Sequence, residues 1–298
     1  MKHIDFAVIG GSYAGLSAAL QLARARRNVL VVDAGQRRNR FVDVAGETSH
    51  GFLTQDGRPP AEIAADAREQ LMNYPNVEWM HGTAEDASVA STGKLEFRVG
   101  HDTISAHRLI LATGVRDELP PVPGLAERWG RSIFHCPYCH GYEMNAGRIG
   151  IIAASPLALH HALMLPDWGS PTLYLNGAYT PSDEDMAAIA RRGTQVEPVL
   201  IDRIDGHADV VLQDGRTLSM NGLFTQPRTL LASPVAEQLG CALEDSPMGL
   251  FIKVDDFRAT SVPNVFACGD AARAAGNVTL AVADGAMAGF GAHRASML

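Results

Sequence analysis

Apolar residues in the first part of the chain follow two different periods. Residues 4–9 form a short apolar run that ends in Gly10-Gly11-Ser12-Tyr13-Ala14-Gly15. Residues 16–27 carry apolar positions at helical spacing, and residues 29–32 form a second apolar run closed by Asp33. A buried strand, a glycine turn, a helix and another buried strand predict a βαβ unit, the opening of a doubly wound parallel sheet. A second helix is predicted over 61–72, followed by strands over 77–80, 95–99 and 108–112.

Two proline-rich stretches then break the pattern, Leu119-Pro120-Pro121-Val122-Pro123-Gly124 and Ser246-Pro247-Met248-Gly249. Such clusters mark places where a chain crosses between domains. Between them a new strand–turn–helix begins, with a strand over 148–153, a helix over 157–165 and a strand over 172–175. Beyond the second stretch, 265–267 reads as a strand leading into Cys268-Gly269-Asp270, and 278–293 as a closing helix. The predicted fold class is α/β, with two Rossmann-like domains of which the second is inserted into the first. Residues 1–116 and 242–298 form the split domain and 117–241 the insertion.

Composition narrows the functions this fold could serve. Hydrophobic residues at 46% and 29 glycines suit a globular α/β protein. A net charge of −8 argues against a nucleic-acid partner, which needs clustered Lys and Arg. The one compact basic stretch, Arg37, Arg38 and Arg40, reads either as a solvated loop or as a loop contacting phosphate. No apolar run is long enough for a membrane span. Met1-Lys2-His3 followed by apolar residues looks superficially like a signal peptide. Asp5 interrupts it, however, and the segment runs straight into the glycine turn, so a cytoplasmic location is expected. Four cysteines make no disulfide framework, and a CxxC pair in a reducing compartment points to redox or metal chemistry.

The glycine turn is a nucleotide-binding candidate. Gly10 and Gly15 keep the outer spacing of G-x-G-x-x-G, with Ser12 at the middle position and Gly11 beside it. Small residues let the backbone approach a pyrophosphate at a helix N-terminus, where N–H groups and the helix dipole favour an anion. Asp33, about 20 residues on, is placed to accept from a ribose hydroxyl, which suits FAD or NAD rather than NADP. The bland alternative is a tight turn with no ligand.

His135-Cys136-Pro137-Tyr138-Cys139-His140-Gly141-Tyr142-Glu143 carries the densest chemistry of the chain. Cys-x-x-Cys-His matches the attachment signature of c-type haem, which requires an exported protein. Zinc would need four ligands, and the two histidines here each adjoin a cysteine, which strains tetrahedral ligation; no metal is expected. A redox dithiol remains, since a CxxC turn lowers a thiol pKa and lets two sulfurs cycle between thiols and a disulfide. Two buried, unreactive cysteines are the bland alternative.

The whole chain resembles the low-molecular-weight thioredoxin reductase family. Leu111-Ala112-Thr113-Gly114 and Pro263-Asn264-Val265-Phe266-Ala267-Cys268-Gly269-Asp270 are similar to the paired ATG and GD signatures of its flavoproteins. The resemblance implies FAD as cofactor, held by Gly10, Ser12, Tyr13, Ala14, Gly15, Asp33, Arg40, Ala84, Ala112, Thr113, Gly114 and Gly269. It further implies that Asp270 holds the ribityl chain and that Asn277 and Val278, opening the last helix, face the isoalloxazine carbonyl. His50, in His50-Gly51-Phe52, would lie close to the cofactor. A homodimer is implied as well. The motif Cys-Pro-Tyr-Cys-His-Gly-Tyr-Glu is similar to the branch containing gliotoxin oxidase and holomycin oxidase. By that pattern Cys139 is the flavin-proximal sulfur and Cys136 the sulfur that exchanges with substrate. His140 stands where thioredoxin reductases carry Asp, and an imidazole titrating near neutral pH could take protons from an incoming dithiol.

One family feature is missing. Where thioredoxin reductases bind NADPH through a second glycine turn and a pair of arginines, this chain reads Ile152-Ala153-Ala154-Ser155-Pro156-Leu157, and Asn176-Gly177-Ala178-Tyr179-Thr180 has no cation. Added methyls keep a backbone away from pyrophosphate, and Pro156 removes a donor. His160 and His161 could bind an anion there, with one of them facing solvent as the plainer reading. The expected function is an FAD-dependent dithiol oxidase acting on a small-molecule dithiol, with O2 as acceptor and H2O2 as product. The alternatives are a disulfide reductase fed by ferredoxin or another carrier, and a non-catalytic sensor or self-protection binder of a reactive disulfide.

Overall fold

The computed structural model describes residues 1–297 and divides into two compact units. The first takes Met1–Arg40, Pro60–Arg116 and the chain from Thr229 onward; the second takes Phe41–Pro59 and Asp117–Arg228.

The first unit is built on a seven-stranded sheet. Four strands run parallel to the opening strand Lys2–Ile9 or its neighbours: Val29–Asp33, Val77–His81, Asp102–Leu111 and Val265–Ala267. Leu95–Val99 and Ala84–Val89 extend the sheet antiparallel. Continuous apolar runs are what a sheet covered on both faces requires, and Phe6, Ala7, Val8 and Leu30 to Val32 are almost wholly buried. The register pairs Ile9 with Val32 and Leu111, and Leu111 with Ala267. The glycine turn, Asp33, Ala112 and Cys268 therefore leave the sheet side by side along one edge, the carboxyl edge at which open α/β sheets take ligands.

Behind that edge the helix Tyr13–Arg24 packs on the closing helix Val278–Ala295. The approach is close because both faces are small: a Cβ on Gly285 would overlap the Ala14 carbonyl, and one on Gly289 would come within 2.6 Å of the Ala18 carbonyl oxygen. The first helix begins three residues earlier than its apolar period indicates and stops at Arg24, since Arg26 adopts a left-handed φ of 59°.

The second unit has a five-stranded, all-parallel sheet in the order Gln195–Glu197, Ser170–Tyr174, Arg148–Ile152, Gly222–Thr225 and Ile133–Phe134. A three-stranded antiparallel sheet, Ile201–Asp205, Asp209–Leu212 and Thr217–Ser219, accompanies it. Phe134, Ile149, Ile151, Leu173 and Phe224 form one core cluster, and Leu125, Ile133, Tyr174 and Leu223 belong to another.

The boundaries differ from the expected 116/117 and 241/242 divisions in two places. Residues 41–59 group with the second unit: Phe41 lies where a Cβ on Gly130 would meet its Cβ at 2.7 Å, and His50 approaches Glu143. Residues 229–241 group with the first, because the helix Val235–Gln238 packs on Ala84–Val89, with the Ala87 N–H donating to Gln238 Oε1 at 2.9 Å. Among the described residues no helix is long and apolar enough to cross a membrane.

Candidate active site

At the carboxyl edge of the first sheet the chain turns through Gly10, whose φ of +111° and lack of Cβ are both required: a Cβ there would overlap the Ala112 carbonyl oxygen. A Cβ on Gly15 would overlap the Gly10 carbonyl oxygen. Ser12 is the N-cap of Tyr13–Arg24, yet its side chain makes no capping bond and the first turn holds no acidic residue. That end of the helix keeps its N–H groups and positive dipole for a ligand. Asp33 is fixed at the end of its strand by accepting from Gly11 N–H at 3.3 Å and Gly35 N–H at 3.1 Å. Tyr13 is buried, its hydroxyl donating to the Pro60 carbonyl at 3.2 Å and accepting from Asn39 at 3.1 Å, so it tethers the turn.

Around these residues the other candidates gather. Ala112 is buried beside the turn, Thr113 follows it, and Gly114 has a φ of +66° with its carbonyl accepting from Ala232 N–H at 3.2 Å. Gly269 has a φ of +68°, and a Cβ on it would stand 2.8 Å from Ala14 Cβ. Asp270 Oδ2 accepts from Arg38 Nη1 at 3.1 Å. Asn277 caps the closing helix, its Oδ1 accepting from Leu280 N–H at 2.8 Å, with Val278 as first helical residue and no acid in the first turn. Arg40 donates to the Arg37 carbonyl at 3.0 Å, and Ala84 is buried in its strand opposite Val99. His50 belongs to the second unit.

In that unit Cys136 and Cys139 form a disulfide, with Cα atoms 5.3 Å apart. The strand Ile133–Phe134 delivers the motif to the carboxyl edge of its sheet. Cys136, in extended conformation, then caps a four-residue helix Pro137–His140 with Pro137 at its first position. Cys139 N–H and His140 N–H donate to the Cys136 carbonyl at 3.1 and 3.2 Å, closing the turn. Both cysteines are half-buried. Gly141 is needed behind them, because a Cβ there would come within 2.8 Å of the Trp168 indole.

The His140 ring stacks on Phe134, centroids 4.0 Å apart and planes 23° apart. Burial, and next the charge of nearby His50, push its pKa down to about 4. The expectation of an imidazole titrating near neutral pH is therefore corrected: stacked on Phe134 and largely desolvated, His140 is neutral at pH 7. His50 Nε2 lies 3.4 Å from Glu143 Oε1 and 2.9 Å from Thr48 Oγ1, and its Nδ1 lies 3.7 Å from Asp56 Oδ1.

Comparison with known proteins fixes the family. The description "Pyridine nucleotide-disulphide oxidoreductase" matches residues 4–285. The chain belongs to the pyridine nucleotide-disulphide oxidoreductase family. It is 34% identical to the thioredoxin reductase tcpT of Claviceps purpurea, across 96% of this chain and 92% of that protein. It is 32% identical to the thioredoxin reductase sirT of Leptosphaeria maculans, across 97% and 93%. An oxidoreductase from Agrobacterium tumefaciens superposes with a TM-score of 0.95 at 55% identity, covering 100% of this chain and 99% of that one. HlmI does so with a TM-score of 0.90 at 32% identity, covering 99% and 93%. The fold is thus that of a thioredoxin reductase, and the protein is a disulfide oxidoreductase of this flavoprotein family, whose cofactor is FAD. The crevice residues fit that cofactor: the side-chain-free cradle of Gly10 and Gly15, the uncapped helix end and the fixed Asp33 carboxylate suit an ADP moiety.

In the second unit the turn after Arg148–Ile152 reads Ala153-Ala154-Ser155-Pro156, without a glycine. Ala153 is 1% exposed, and the following helix Ala158–Met164 has only seven residues and starts from a helical Leu157. His160 is exposed, as one of the pair was expected to be. His161 is buried against the edge of Phe224, and burial pushes its pKa down to about 4.

Three residues at these sites were not singled out from the sequence for the partners they have. Arg38 was visible only as part of a basic stretch. Asp284, 4% exposed in side chain, is gripped by Arg258 at 2.6 Å and Arg273 at 2.9 Å next to the Gly269–Ala272 turn; nothing in an apolar helix pattern signals such a pair. Glu143 stood within the quoted motif without a role.

Proposed function

We propose that the protein is a dithiol oxidase that closes a disulfide in a small-molecule dithiol, with molecular oxygen as final acceptor and hydrogen peroxide as product. The observation that carries this reading is the half-buried Cys136–Cys139 disulfide at the carboxyl edge of a sheet whose turn after Arg148–Ile152 holds buried Ala153, then Ala154, Ser155 and Pro156, and no glycine. The candidate crevice residues of the first unit, from Gly10 to Asp33 together with Asp270 and Asn277, would hold FAD, which when bound supplies the two-electron acceptor that returns the cysteine pair to its disulfide.

The chain's own residues perform the exchange. Neutral His140 accepts the proton of a substrate thiol, and the resulting thiolate attacks the Cys136 sulfur. The Cys136–Cys139 bond breaks, Cys139 leaves as thiolate and a mixed disulfide joins substrate to Cys136. The second substrate thiol, deprotonated in turn, attacks the substrate sulfur of that mixed disulfide. The substrate leaves oxidised by two electrons, and Cys136 departs as a thiolate that takes up one proton.

The test is anaerobic. Dithiothreitol should bleach the yellow protein, and air should restore the colour with peroxide formed, whereas NADPH and NADH should leave the colour unchanged. Rapid bleaching by micromolar NADPH, or bleaching by reduced ferredoxin but not by dithiols, would return the chain to the reductases.

A further inference from the structure

A base whose pKa is near 4 takes a proton briefly and cannot keep it at neutral pH, so the exchange needs somewhere for that proton to go. The second unit offers one place. The loop 48–58 folds on itself through Ser49 N–H donating to the Arg58 carbonyl at 2.9 Å and Gly57 N–H donating to the Ser49 carbonyl at 2.9 Å. It returns to the CxxC turn at Gly51, whose Cβ position lies 3.9 Å from the Tyr138 carbonyl oxygen. His50 thereby lies near enough to the CxxC turn for its charge to act on His140, and it has two carboxylates beside its ring nitrogens, Glu143 at 3.4 Å and Asp56 at 3.7 Å. Asp56 is itself aligned by Gly51 N–H at 2.7 Å. Side-chain exposure rises outward along this row, from 23% at His50 to 38% at Glu143 and 69% at Asp56.

We propose that His50 and Glu143 are the proton station of the CxxC centre, drawing off through His140 the protons that the substrate thiols lose and delivering them to water or back to Cys136. This rests on the dithiol-exchange reading above and gives roles to two residues that it leaves idle. Neither residue touches the sulfurs; both act through His140. For each substrate oxidised, two S–H protons enter the row, one returns to Cys136 and one leaves at the carboxylates, while the two electrons pass from the substrate sulfurs into the broken Cys136–Cys139 bond. A purely structural role, holding the 48–58 loop on the turn, is the competing account, since the same contacts would serve it.

The two are separated by following dithiothreitol-driven opening of the disulfide in single-turnover thiol titration, anaerobically, in the wild type, Glu143→Gln, Glu143→Asp and His50→Gln. Glutamine keeps the size and a hydrogen bond at position 143 but cannot accept a proton. We expect opening to slow roughly 10- to 100-fold in Glu143→Gln and His50→Gln near pH 7. Glu143→Asp should recover most of the rate, added imidazole should restore His50→Gln, and all rates should converge near about pH 10, where the dithiol ionises unaided. Wild-type rates in both variants overturn the proposal, as does slowing that persists at high pH and ignores imidazole. A wild-type disulfide inert to dithiothreitol is a different outcome and takes the exchange reading with it.

Discussion

Replacing His161 with Gln should make the protein less sensitive to acid. The ring is 3% exposed and packs against Phe224; burial, then the charge of His160, lower its pKa to about 4, opposed by the His135 backbone carbonyl. An unfolded histidine titrates near 6.5, so between 6.5 and 4 the unfolded chain binds the proton and the native chain does not. The stability contributed is whole above about pH 6.5 and is lost as pH falls toward 4. With these two values the native state loses about 1.8 kcal/mol between pH 7 and pH 5 on account of this residue alone. At about 2–4 °C per kcal/mol for a unit of this size, that is a Tm drop of about 4–7 °C. Thermal unfolding followed by circular dichroism at both pH values measures it. Whatever the Tm of His161→Gln at pH 7, its fall to pH 5 should shrink by that amount. Parallel curves for variant and wild type would show that the buried ring does not carry the acid sensitivity.

Two further perturbations probe the first unit. Gly15→Ala should leave the protein colourless after desalting, because the new Cβ overlaps the Gly10 carbonyl and forces open the turn proposed to hold the pyrophosphate; flavin absorbance at wild-type stoichiometry would contradict the assignment. Asp284→Ala strips the partner from Arg258 and Arg273 beside the Gly269–Ala272 turn and should cost about 3 kcal/mol in denaturant unfolding, at the lower end of the range because both arginines are partly exposed. An unchanged midpoint would mean that the pair contributes nothing net.

Much of the fold was legible because its strands are buried on both faces and write themselves as apolar runs: 29–32, 77–80 and 265–267 each match an observed strand to within a residue at either end. What escaped was the edge. Ala84–Val89 reads Ala-Glu-Asp-Ala-Ser-Val and is buried only at Ala84 and Ala87, so no run announces it. Spacing along the chain revealed the cysteine pair and its neighbouring histidine, since a four-residue turn brings them together without help. It could not reveal that His50 meets Glu143, which depends on where a distant loop folds back. Nor could it reveal that His140 is neutral, which depends on the Phe134 ring beneath it.

The three-part make-up of the first unit also sets an order in time. All five parallel strands of the second unit's sheet lie between Ile133 and Thr225, and a ribosome has made them before the strand Val265–Ala267 and the helix Val278–Ala295 exist. The glycine turn, although among the first residues synthesised, has no backing until Gly285 and Gly289 reach Ala14 and Ala18. At about 5–20 residues per second the nascent chain spends several seconds with its disulfide-bearing half able to fold and its nucleotide-binding half unfinished. On the proposed assignment cofactor loading is thus a late event in the life of the chain, and a chain truncated within the last helix would lack the backing of the turn proposed to hold the flavin.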